Sequence, residues 1–166
     1  MAGQLVKLIN EYRSYQKYAN SKFEDVFPRE RLKGSERLQS VTFESAFLEN
    51  KGFGKFEIQK LPNDLQMSPI YSFAIDDFNR DGITDFLAGG NFYANQINIG
   101  KCDSSYGHFV SLQSDYDELN WKSLSLLESG FTIDGEVRDI KIIKGKGDNK
   151  FVLVSINNKN IELFSF

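Results

Sequence analysis

Near the start of the chain the apolar residues fall at helical spacing. Leu5, Leu8, Ile9, Tyr12 and Ala19 line one side, and Lys7, Glu11, Arg13 and Lys17 fill the other. This spacing predicts an N-terminal amphipathic helix over Gln4–Tyr18, with Tyr12, Tyr15 and Tyr18 packing onto a neighbouring sheet. Pro28 suits a first helical turn and opens a second short helix ending before Gly34.

From Val41 the pattern becomes one of short strands. Val41–Glu49 alternates, Asn50-Lys51-Gly52-Phe53-Gly54 supplies a glycine turn, and Lys55–Leu61 returns as an antiparallel partner. Tyr71–Asp77 and Asp85–Gly89 bracket a polar loop, and His108–Gln113 and Trp121–Ser125 form another pair. Val137–Ile143, Phe151–Ile156 and Asn160–Phe164 complete the set. The chain therefore reads as a helical segment over 1–40 and a mainly β body over 41–166, either a sandwich or part of a radial array.

An internal comparison bears on that choice. An offset of 65 residues sets Asp85-Phe86-Leu87-Ala88 against Lys150-Phe151-Val152-Leu153, and Phe73-Ala74-Ile75 against Arg138-Asp139-Ile140. Both stretches read strand, glycine-containing polar loop, strand, as tandem propeller blades do.

Composition adds aromatic excess, with 15 Phe, 7 Tyr and 1 Trp, and 13 Gly against 3 Pro, which favours strands joined by glycine turns. A net charge of −3 without long runs of one sign speaks against nucleic acid or an anionic membrane surface as a partner. The apolar stretches are too short for a membrane span. The opening residues lack the basic start and apolar block of a secretory leader. Cys102 is the single cysteine, so no internal disulfide forms.

The chemistry lies in Asp77-Phe78-Asn79-Arg80-Asp81-Gly82-Ile83-Thr84-Asp85. Oxygen-bearing side chains at its first, third, fifth and ninth places, with glycine at the sixth, can curl around one hard cation. Asp77, Asn79, Asp81 and Asp85 are the side-chain ligands, and the backbone carbonyl of Ile83 is a further one. An all-oxygen, flexible donor set suits Ca2+, whereas zinc wants His or Cys. The loop is not an EF-hand, because Ala88 stands where a bidentate Glu belongs and strands flank the site. The same residue types also suit an acidic surface turn. Under the same offset, Asn79, Asp81 and Asp85 become Lys144, Lys146 and Lys150, while Gly82 becomes Gly147. The second loop should therefore bind no calcium; its ammonium groups stand in for a cation or form a solvated basic turn.

With its flanks Phe73-Ala74-Ile75 and Phe86-Leu87-Ala88-Gly89-Gly90, this loop resembles the calcium loop of FG-GAP or VCBS-type repeats, the blades of integrin-α-like β-propellers. Glu49 to Phe56, Leu61-Pro62, Gln66-Met67-Ser68-Pro69, Gly89 to Tyr93 and Asp134 to Ile140 are similar to the carboxyl-terminal region of bacterial secreted proteins carrying these repeats, often with an ASPIC/UnbV-type module. The resemblance implies a partial β-propeller of two to three antiparallel blades in an extracellular or cell-surface setting, binding a protein or glycan or serving as a scaffold. About 125 residues from Val41 onward cannot close a ring, which usually needs at least four blades. The expected partners are the remaining blades of a larger protein or another copy of the chain.

Catalytic candidates are thin. His108 lies six residues from Cys102, Asp115 to Glu118 and Asp134, Glu136 and Asp139 offer carboxylates, and Gly145-Lys146-Gly147 lacks the pattern of a phosphate cradle. The sequence reads as a non-enzymatic binding or scaffold module, with Asn91, Phe92, Tyr93, Tyr106 and Trp121 as candidate recognition residues. The alternative is an accessory domain of a carbohydrate-active enzyme.

Overall fold

The computed structural model describes residues 6–115, 118–147 and 149–166. The chain divides into two compact units, Met1–Thr42 and Phe43–Phe166.

In the first unit, α1 (Val6–Glu11), α2 (Tyr15–Ala19) and α3 (Phe23–Val26) precede a single 3-10 turn at Arg29–Leu32. The one helix expected over Gln4–Tyr18 is therefore broken, and Gln4 and Leu5 lie outside the described residues. The break has a local cause. Ser14 is extended, with φ −125° and ψ 138°, and its side chain accepts the Lys17 N–H at 3.1 Å, so it caps a new helix instead of continuing the old one. Tyr12 and Tyr18 meet edge to face at 5.6 Å, and Tyr15 is 95% exposed. Pro28 caps the turn at Arg29–Leu32, which ends before Gly34 but is a 3-10 helix in place of the second short helix expected there.

The second unit is mainly β and antiparallel. A hairpin pairs β1 (Ala46–Gly52) with β2 (Lys55–Lys60). A four-stranded meander follows, of β3 (Ile70–Asp76), β4 (Asp85–Gly90), β5 (His108–Asp115) and β6 (Glu118–Leu124). The third sheet holds β7 (Val137–Lys144), β8 (Lys150–Ile156) and β9 (Glu162–Ser165). Among the described residues these sheets close no barrel or ring. Val41 to Ser45 stay outside β1, contrary to the alternation read there. A one-turn helix, α4 (Leu126–Ser129), separates the meander from β7; Ser125 and Glu128 cap its start and Gly130, at φ 65°, ends it.

The register explains the core. Ala74, Leu87 and Phe109 stand opposite one another on adjacent strands and so share one face of the meander. That face joins Ile140, Val152 and Val154 of the third sheet, and Phe131 and Ile133 from the connection, in one buried cluster. Gly89 permits the close approach: a Cβ there would lie 2.8 Å from the Val137 side chain. At the bulge between Val137 and Asp139, the Ser72 hydroxyl donates to Asp139 and accepts the Ile140 N–H, both at 3.0 Å. The opposite face of the meander buries Ala88 and Val110 against Leu61 and Leu65, with Phe47, Phe86 and Trp121 packed around them.

Candidate functional site

The β3–β4 loop rises from the Asp76–Asp85 pair that ends the ladder. Positive φ at Arg80 (62°) and Gly82 (84°) reverses the chain, a geometry that glycine adopts without strain. Asp77 accepts the N–H groups of Asp81 at 3.1 Å and Gly82 at 2.9 Å. The Asn79 amide oxygen also accepts the Asp81 N–H, at 2.9 Å, and the Asn79 amide nitrogen donates to Asp81 at 2.8 Å. Asp81 in turn accepts the Ile83 N–H at 2.8 Å. Asp77 is half-buried, whereas Asn79, Asp81 and Ile83 are exposed.

Asp85 is different. It is 0% exposed, and its Oδ2 reaches back beneath the loop to accept the N–H groups of Phe78 at 3.1 Å and Asn79 at 3.3 Å. Its Oδ1 is buried with no hydrogen-bond partner. Among the described residues, no ion pair includes Asp77, Asp81 or Asp85. A buried carboxylate oxygen lacking both donor and cation is costly and needs a physical reason. The carboxylates do not converge into a closed cage, since among the described residues no three His, Cys, Asp or Glu side chains stand together as a metal-holding group. The donor chemistry still fits a hard cation: carboxylate and amide oxygens keep lone pairs beyond the bonds they accept, and Asp85 Oδ1 keeps all of its own.

The even-numbered residues turn the other way. Asp76 binds the Lys150 ammonium through both carboxylate oxygens, at 2.6 and 2.7 Å, and this contact holds its carboxyl below the ordinary range. Phe78 is buried against Phe166 (centroids 5.1 Å apart) and Phe109 (6.1 Å). The Arg80 guanidinium donates to the Phe166 carbonyl at 3.1 Å. A cleft of about 460 Å3 lies here, lined by Asp76, Asp77, Phe78, Arg80, Lys150 and Phe166 among others.

The internal repeat holds on one side of the loop and shifts on the other. Lys144 pairs with Lys150 as Asp76 pairs with Asp85, so Lys144 corresponds to Asp76 and not to Asn79. The reason is loop length, eight residues at 77–84 against five at 145–149. From the glycine onward the offset stands: Gly82 and Gly147 both take positive φ, at 84° and 70°. The Lys150 ammonium does not serve its own loop, because it is spent on Asp76. Asp148 lies outside the described residues.

The other candidates are dispersed. Cys102 Sγ accepts from the Asn95 amide at 3.2 Å and does not pair with His108. Instead His108 Nε2 lies 3.0 Å from Ser105 Oγ, and its Nδ1 lies 3.7 Å from Asp64, whose carboxylate accepts the Ser123 hydroxyl. Burial keeps the imidazole below its ordinary value despite the Asp64 charge. Ser105 and His108 are both buried, and the Gly107 N–H donates to Ser105 Oγ at 3.4 Å, so the chain braces the turn into β5. Asn91 is also internal: at φ 80° it bonds Ser68, Ser105 and the Gly135 carbonyl. Trp121 packs between Phe47 and Phe86, and Phe92 bridges to Cys102, whereas Tyr106 remains exposed. Tyr93 lies under the Lys101 ammonium at 4.8 Å. Glu136 is buried, where it accepts from Tyr93 N–H, Asn157 and Arg138. Asp134 pairs with Lys159, and Asp139 with Ser72 and Lys141. Tyr116 and Asp117 lie outside the described residues.

The sequence pattern did not reveal the Asp64–His108–Ser105 chain or the Asn91 staple, because their partners come together only in the folded sheet; the short Ser105–His108 spacing was the one local signal. No family model, curated protein or solved structure matches this chain.

Proposed function

We propose that the Phe43–Phe166 unit is a calcium-binding, propeller-type segment that serves as a non-catalytic binding or scaffold module. The observation that carries this reading is Asp85 Oδ1, a buried carboxylate oxygen with no hydrogen-bond partner beneath a loop of inward-turned oxygen donors. Asp77, Asn79, Asp81 and Asp85 would hold the ion by their side chains and Ile83 by its carbonyl. When bound, the ion supplies positive charge against three carboxylates crowded into nine residues.

The outer face of β3 supports a role in assembly. Tyr71, Phe73 and Ile75 alternate there and are exposed, Phe73 at 60%, as a face awaiting another sheet would be. Further blades of a larger protein, or another copy, are the partners this face suits, with a protein or glycan as ligand. The extracellular or cell-surface setting rests on the repeat resemblance alone.

The test is a melting curve in calcium and then in chelator. At a hundredfold excess over its dissociation constant, an ion that binds only the folded form adds about 2.7 kcal/mol of stability. Asp81→Ala removes most of that response. An identical midpoint in both conditions makes the loop an ordinary acidic turn.

A further inference from the structure

Resting on the calcium reading, we infer that the β3–β4 loop is a two-sided clasp, in which filling the odd-numbered donors fixes the even-numbered residues against the third sheet and so couples ion binding to sheet docking. The two sides are separate in the structure. Asp77, Asn79 and Asp81 turn into the loop, and Asp85 closes it from below. Asp76, Phe78 and Arg80 each engage a residue of β8 or the chain beyond β9: Lys150 for Asp76, and Phe166 for Phe78 and Arg80.

The backbone joins the two sides. Asp85 Oδ2 holds the N–H groups of Phe78 and Asn79 together, so the carboxylate offering its free oxygen to a cation also positions the buried Phe78 ring. Arg80 sits at φ 62°, a strained conformation for a residue with a Cβ, between the two bonds that Asp77 and Asn79 make to Asp81. Holding the donors around one centre therefore restricts φ and ψ at Phe78 and Arg80, the residues that touch Phe166 just beyond the third sheet. Coupling of this kind is reciprocal: the factor by which calcium tightens the docking is the factor by which docking tightens calcium binding, so undocking the even side weakens binding on the odd side by up to that factor.

Phe166→Ala is the discriminating variant because it leaves every proposed ligand and every charged group in place. Calcium affinity is measured by titration calorimetry on the whole chain, and hydrogen exchange is followed on the parent protein with calcium and with chelator. The expected results are affinity weakened about fivefold or more in Phe166→Ala, and slowed exchange at Val152, Val154 and Phe164 when the parent binds calcium. Calcium binding with protection confined to 77–85, or unchanged affinity in Phe166→Ala, overturns the clasp and leaves the calcium reading intact. No calcium binding by the parent removes both. If Phe166→Ala fails to fold, the exchange pattern of the parent decides alone.

Discussion

The Lys150 ammonium grips both carboxylate oxygens of Asp76, at 2.6 and 2.7 Å, tying the start of β8 to the end of β3 across 74 positions of sequence. Both side chains keep some exposure to water, so solvent screens the pair and its worth stays near the upper end of exposed pairs, about 1 kcal/mol. Lys150→Met should lower the unfolding free energy measured in urea by that amount, and the exchanged pair Asp76→Lys with Lys150→Asp should recover part of it. Because Lys150 depresses the Asp76 pKa, the pair's stabilisation is present above the unfolded carboxyl value near 3.8 and is lost as pH falls through the folded one. A Lys150→Met midpoint equal to the parent's at neutral pH would show the contact to be energetically silent.

His108 loses stability in the same direction, on acidification, but at a higher pH. Burial lowers its pKa below 6.5, and the partial charge compensation from Asp64 does not cancel that effect. Since the unfolded imidazole takes up a proton first, stability is full above about 6.5 and falls as pH drops toward the folded value. His108→Gln should flatten the stability profile below pH 6.5. A profile as steep in the variant as in the parent assigns the slope to other groups.

Gly90 sets a steric test. A Cβ there would lie 1.6 Å from the Pro69 carbonyl oxygen, which also accepts the Asn91 N–H at 3.1 Å. The neighbour in the way is backbone, so Gly90→Ala must displace β3 from β4 and should cost about 3 kcal/mol or more, beyond ordinary overpacking. A thermal midpoint unchanged in Gly90→Ala would mean the strands part there without penalty. The Gly89-Gly90 pair thus has two separate causes, Val137 on one side and Pro69 on the other.

Where residue pattern alone determines an element, the sequence was readable. β4 and β7 begin at Asp85 and Val137, because short apolar runs bounded by glycine turns leave little choice of limit. The N-terminal helix breaks where a local hydrogen bond from the Lys17 N–H to the Ser14 side chain competes with periodicity. Within the loop the odd positions carried an oxygen pattern visible in sequence. The roles of Phe78 and Arg80 did not show, since their contacts at Phe166 lie far along the chain; for Arg80 the separation is 86 residues. The same holds for the shifted repeat, where three fewer loop residues move Lys144 opposite Asp76, a change that only strand pairing reveals.

Phe131 tests whether the core extends beyond the strands. It lies in the connection between α4 and β7, outside any regular element, yet it is 0% exposed and packs at a tilt against Phe164 with centroids 4.9 Å apart. Gly107 faces it so closely that a Cβ there would come within 3.2 Å of the ring. Emptying this position leaves a cavity between the two sheets that the rigid β ladders cannot collapse to fill, so Phe131→Ala should cost about 3–5 kcal/mol. Phe53, at the tip of the β1–β2 hairpin and 105% exposed, is the matched control, and Phe53→Ala should stay within about 0.5 kcal/mol of the parent. Urea denaturation of the two variants measures the difference. Equal losses would mean that the aromatic ring at 131 contributes no more to the join between the sheets than one in open water.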